Sequence, residues 1–173
     1  SINPGLALPD SIGAGLESLM LASVGAALGE GLESARYREV GCFGTLAAVS
    51  TVTAAIKALA TGEDRSIKLT GYSGLMLPVM EDVVLAQRAT EGKFGVRDLL
   101  MFSSVCGVGI DTVPIPGSTS PEALAGVYME TASLAFRLNK PLSCMVLPQQ
   151  GKLAGELTNV VSPYLCNTTV FSV

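Results

Sequence analysis

An α/β layer fold with mainly parallel strands is the architecture this sequence predicts, as a single piece spanning all 173 residues. Two short apolar runs, SVCGVGIDTVPI and LSCMVLP, are bounded by proline and glycine in the manner of strands buried on both faces. They alternate with segments of helical spacing, EDVVLAQRATEG and PEALAGVYMETASLAFRLN, and strands that alternate with helices pair in parallel. The composition is also that of an interior. Hydrophobic residues make up 49% and charged residues 15%, against about 25% charged in an ordinary globular domain.

The elements follow in order. Pro4, Pro9 and Asp10 end an extended entry, and Asp10 or Ser11 caps a helix through SIGAGLESLMLASVGAAL that stops near Gly29 or Gly31. GTLAAVSTVTAAIKALATG is a second helix, stopped by Gly62, whose apolarity on every side places it in the interior. Ser66 to Thr70 alternate as a strand, GYSG breaks it, and helical spacing resumes at Glu81. VRDLLMF is a short helix, SVCGVGIDTVPI a strand and PGSTSP a turn, with Pro121 in the first turn of the long helix that follows. LSCMVLP, Leu142 to Pro148, closes the order as a fully buried strand.

Composition also excludes function classes. A net charge of -4 offers no basic field for nucleic acid. The longest uncharged run, Val40 to Ile56, contains Gly41, Gly44, Thr45, Ser50, Thr51 and Thr53 and falls short of the roughly 20 apolar residues of a membrane span. No signal peptide opens the sequence, and the absence of an initiator Met suggests a processed or partial chain. Cys42, Cys106, Cys144 and Cys166 have the wide, unpatterned spacing of reduced thiols in the cytosol, and no zinc motif can be built from them. So few charges cannot coat a free surface, so remaining chain or another subunit is expected over an apolar face, with a homo-oligomer as one form of that cover.

There is no histidine, so a self-contained Ser-His-Asp or Cys-His site is excluded. GYSGL puts Ser73 near a nucleophile elbow, with Leu75 in place of the final glycine. GVGIDT opens like a dinucleotide fingerprint, but Thr112 stands at the third glycine and a strand continues. Gly151-Lys152 lacks the Ser or Thr of a phosphate loop, because Leu153 follows, which makes a solvated turn lysine the plainer role of Lys152.

Glu81 and Asp82 begin a helix. They either complement its dipole or turn one carboxylate into a strand-end crevice as an acid-base group or as a ligand for a hard cation. Asp111 is an acid inside an apolar strand, which demands either a hydrogen-bond network or a ligand. Cys106 is a candidate thiol or an inert small apolar residue, and lies on the face opposite Asp111 unless Gly107 or Gly109 makes a bulge. Pro114, Pro116 and Gly117 fix a rigid loop at the strand end, where α/β folds hold ligands. The candidate catalytic residues are therefore Asp111, Glu81, Asp82 and Cys106. The candidate ligand-binding residues are Gly109, Pro116, Gly117, Ser73 and Lys152, with no metal site and no cofactor named by the pattern.

INPGLALPDSIGAGLESL, GCFGTLAAVSTVTAAI, GYSGLMLPVMED, VCGVGIDTVPIPGSTS and LPQQGKLAGE occur in an order that resembles the domain-of-unknown-function 711 proteins, also called uncharacterised protein family 0210. The CGVGIDTVPIPG and LPVMED blocks are the specific ones. Family members are much longer, and the resemblance implies that this chain is their C-terminal part. It further implies half of a ten-stranded α/β barrel like that of pyruvate formate-lyase and ribonucleotide reductase, completed by missing chain or a partner. In those barrels a cysteine on a central finger loop faces the substrate, and Cys106 is the cysteine in a family-like block. Two departures are plain: Ser118 stands where members commonly carry Asp, and the glycyl-radical signature is absent, which argues against radical chemistry. The expectation is a cytosolic enzyme of unknown substrate with a strand-end site. A metabolite-binding or regulatory protein and a structural subunit of an assembly are the alternatives.

Overall fold

The computed structural model describes residues 11–28, 38–61 and 74–173. The expected entry segment before Ser11, the strand over Ser66 to Thr70, and Ser73 lie outside the described residues. Among the described residues, five helices and two strands run in the order α1 (Ile12–Leu28), α2 (Thr45–Thr61), α3 (Val83–Thr90), α4 (Val96–Ser103), β1 (Gly109–Pro116), α5 (Pro121–Leu138) and β2 (Ser143–Gln149). β1 and β2 pair in parallel across α5, so the chain is mixed α/β with a small parallel two-stranded sheet.

β1 is the centre of the core. Ile110, Val113 and Ile115 are fully buried and pack with Leu16 and Met20 of α1, Val49 of α2, Leu85 of α3 and Leu99 and Phe102 of α4. Its β2 edge is marked by Ser143 N–H donating to Val108 and Gly117 N–H donating to the Gln149 carbonyl. The opposite edge receives Val79 N–H at the Asp111 carbonyl and Phe171 N–H at the Pro114 carbonyl. Backbone groups alternate sides along a strand. Pro114 therefore points its missing donor away from the β2 ladder and costs no sheet bond.

Local chemistry sets the helix ends. Ser11 Oγ accepts the Ala14 N–H at α1. Ser120 Oγ accepts the Ala123 N–H at α5, Pro121 fills its first position, and Asn139 ends it with a left-handed φ of 48°. Arg88 of α3 ties the α1 side together, binding Glu17 at 2.7 and 3.1 Å and Glu91 at 2.8 Å.

Three expectations are corrected. α2 does not lie in the interior: Thr45, Ala48, Val49 and Thr53 make a buried stripe, while Ala47, Ala54, Ala55 and Ala58 are exposed. Alanine forms helix without needing burial, so its abundance is no sign of an interior position. β2 is half-buried rather than fully buried, with Met145 48% exposed. The strand meets α5, and among the described residues its Met145 and Pro148 stay exposed. Cys106 is not on the strand; it lies in the turn between α4 and β1, because β1 begins only at Gly109. Among the described residues no helix is long and apolar enough to cross a membrane.

Candidate functional site

Asp111 sits at an irregularity in β1. Ile110 pairs with Cys144 and Val113 with Val146, so Asp111 and Thr112 together oppose Met145 in a β-bulge. Both bulge residues are buried. Thr112 has a φ of 46°, a left-handed backbone that costs a β-branched residue about 1–2 kcal/mol. Gly109, two residues before Asp111, has a φ of 113°, and a Cβ there would strike the backbone of Ser143. The irregularity thus begins at a glycine and ends at a strained threonine.

Burial raises the Asp111 carboxyl above its ordinary value of 3.8, the charge of Glu81 raises it further, and the neighbouring Thr112 N–H opposes both. Asp111 and Glu81 are brought together because residues 78–81 form a turn, with Glu81 N–H donating to the Pro78 carbonyl, laid in parallel against the bulge at Pro78 and Asp111. Thr112 Oγ1 accepts the Met80 N–H at 3.3 Å. Glu81 itself is exposed.

Asp82 does not join this pair. Its Oδ1 accepts the Val84 and Leu85 N–H groups at 3.0 and 2.9 Å, capping α3. Its Oδ2 accepts the Ile12 and Gly13 N–H groups at 2.5 and 3.3 Å, at the start of α1. Four backbone donors from two helices occupy the carboxylate, so the adjacent acids divide their work. Asp82 joins two helix ends, and Glu81 stays exposed on the turn whose Pro78 and Val79 lie against Asp111.

Cys106 is fully buried. Its sulfur accepts N–H groups of Val108 and Gly109 at 3.5 and 3.3 Å. Lys140 Nζ donates to the Cys106 and Ser104 carbonyls at 2.6 and 3.1 Å and so holds the turn after α4, and burial pushes its pKa down. Gly107 lies against Gly74: a Cβ on either would strike the other's Cα, and Gly107 N–H donates to the Leu75 carbonyl at 3.0 Å. The thiol is packed into a backbone turn on the far side of Gly109 from Asp111.

At the other end of β1, Pro116 lines an open cavity of about 200 Å³ together with Ser118, Thr119, Ser120, Ala123 and Ser172. Gly117 fits closely, since a Cβ there would meet the Gln149 carbonyl oxygen at 2.7 Å. Lys152 lies in the turn after β2, its N–H donating to Gln149. Five residues of strand, roughly 16 Å, separate Asp111 from Pro116. The candidates therefore form two groups, an acid pair at the bulge and a hydroxyl-lined cavity at the strand end. Among the described residues no cluster of three or more His, Cys, Asp or Glu is suited to hold a metal ion.

The family model described as Uncharacterised ACR (DUF711) matches residues 23–161. The chain belongs to this family. Among its DUF711 relatives is a UPF0210 protein of Syntrophobacter fumaroxidans, 34% identical over 134 residues that make up 78% of this chain and 29% of that protein. A UPF0210 protein of Pyrobaculum arsenaticum is 32% identical over 141 residues, 82% of this chain and 31% of its own length. One from Bifidobacterium longum subsp. infantis is 33% identical over 137 residues, 79% of this chain and 30% of its own length. The chain thus spans about three tenths of the curated relatives it matches. No solved structure matches it significantly. The bulge, the Glu81 turn and the cavity residues from Pro116 to Ala123 all lie inside the DUF711 match. Sequence reading of this DUF711 chain missed Thr112 and Lys140. Thr112 gives no sign in sequence of its backbone, whereas a lysine directly after the Asn139 helix stop does suggest a cation near helix-terminal carbonyls.

Proposed function

We propose that this chain forms one wall of a small-molecule site in a larger enzyme, with Asp111 as its proton-carrying group. The observation that carries the reading is the buried Asp111 carboxyl, raised by burial and by Glu81, in a bulge next to a strained residue. Burial makes the Asp111 carboxyl hold its proton more tightly than an exposed acid would, which suits a group that donates a proton to a substrate oxygen and recovers it, with the exposed Glu81 carboxyl on the adjoining turn. No nucleophile is assigned, and Cys106 is a turn residue in this reading. Metabolite binding without chemistry is the second reading, favoured by the uncharged, hydroxyl-rich lining of the cavity beside Pro116.

The uncovered apolar surface supports a larger assembly. Phe136 is 91% exposed on α5, and Met129 on the same helix and Met145 on β2 are exposed too, which suits coverage by further strands of a barrel like that of pyruvate formate-lyase, with this chain as its C-terminal part, or by a second copy. The four free thiols suit the cytosol.

A thermal-shift screen of the intact protein against small metabolites between about pH 5 and 8 tests the reading. A ligand that stabilises wild type, and Asp111→Asn much less, is expected. Ligands that stabilise both proteins equally would overturn it.

A further inference from the structure

Thr112 is the one described non-glycine residue inside a strand that has a left-handed backbone. Strain of this kind persists where the surrounding structure over-determines it, and it clusters at functional sites. Three features meet at this residue. Its N–H adjoins the Asp111 carboxyl and works against the effect of burial there. Its Oγ1 accepts the N–H of Met80, the residue before Glu81. Its place in the bulge lets two residues of β1 stand opposite Met145. A regular strand would alternate Asp111 and Thr112 to opposite faces, with no reason for either to serve the other.

We propose that Thr112 is the positioning residue of the Asp111 site: its left-handed backbone aims the Asp111 carboxyl, and its hydroxyl clamps the turn that carries Glu81 against it. The proposal rests on the reading of Asp111 as the functional group but concerns a different residue and a different measurement. Thr112 touches no substrate in this scheme; it sets the distance between two carboxyl groups and thereby the proton affinity of one. Serine keeps the hydroxyl. Valine keeps the shape and removes the hydroxyl, and glycine relieves the backbone strain while removing the clamp.

The test is an NMR titration of the Asp111 carboxyl in the intact protein, with thermal unfolding alongside, for wild type, Thr112→Ser, Thr112→Val and Thr112→Gly. Serine is expected to keep the wild-type midpoint. Valine and glycine are expected to lower it by about half a pH unit or more, a threefold change in acid constant, as Glu81 moves away. Glycine should show this even if it melts no lower than wild type, and if glycine does not fold, valine decides. A midpoint unmoved in valine, with or without a change in melting temperature, would show Thr112 to be structural only. Asp111→Asn separates the two ideas. If Thr112 variants shift the titration but Asp111→Asn leaves ligand stabilisation intact, positioning stands and the functional reading falls. If Asp111→Asn abolishes it while the Thr112 variants move nothing, the reverse holds.

Discussion

Removing the Asp82 carboxylate should loosen two helices at once. Asp82→Ala deprives Val84 and Leu85 of their cap and Ile12 and Gly13 of their anchor. Loss of a helix cap costs about 1 kcal/mol. The two α1 donors, left facing an apolar methyl in a site only 2% exposed, add about 2 kcal/mol. The sum, about 3 kcal/mol, lowers the melting temperature of a domain this size by about 6–12 °C. Asp82→Asn keeps one acceptor oxygen and should lose about half as much. Circular dichroism melts give the size, and hydrogen exchange at Ile12 and Gly13 locates it, since those amides should exchange faster in Asp82→Ala. A melting temperature within about 2 °C of wild type, with α1 amides unchanged, would refute the two-helix anchor.

Three further outcomes follow from the same geometry. Asp111 holds its proton more tightly folded than unfolded, so its stabilising contribution is complete below pH 3.8 and is lost as pH rises through the raised folded value; Asp111→Asn should therefore gain stability over wild type as pH rises from 4 to 7, and parallel curves in denaturant titrations would contradict this. Gly109→Ala, forced to a φ of 113° with its methyl against Ser143, should lose at least about 2 kcal/mol by urea unfolding, and a near-neutral effect would show that the bulge relaxes easily. Under native labelling, the half-buried Cys42, Cys144 and Cys166 should react before the fully buried Cys106, and Cys106 reacting first would show that its turn opens.

Much of the fold was legible because its signals are local. Ser120-Pro121 and Asn139 bracket α5 to within a residue, and the apolar run after Pro141 marks β2. Burial was less legible, because it depends on what packs against an element rather than on the element. The alanines of α2 and the open face of β2 both read as interior from composition. The strand holding Asp111 was clear, but CGVG continued its apolar run backwards, and contacts between distant residues, such as that of Gly74 with Gly107, show that Cys106 belongs to a turn. Glu81 and Asp82 are chemically alike and adjacent. Which one caps α3 is decided by the backbone φ of -126° at Asp82 and by the arrival of α1, 69 residues away in sequence. The bulge at Thr112 left no local sign, since threonine is a favourable strand residue with no preference for a left-handed backbone.

The Asp111 carboxyl titration, compared between wild type and Glu81→Gln in the intact protein, bears most directly on the acid pair. A midpoint above 3.8 that falls when Glu81 loses its charge is expected. A midpoint at or below 3.8, unmoved by Glu81→Gln, would mean that Asp111 is an ordinary ionised acid and that the bulge holds no proton-carrying group.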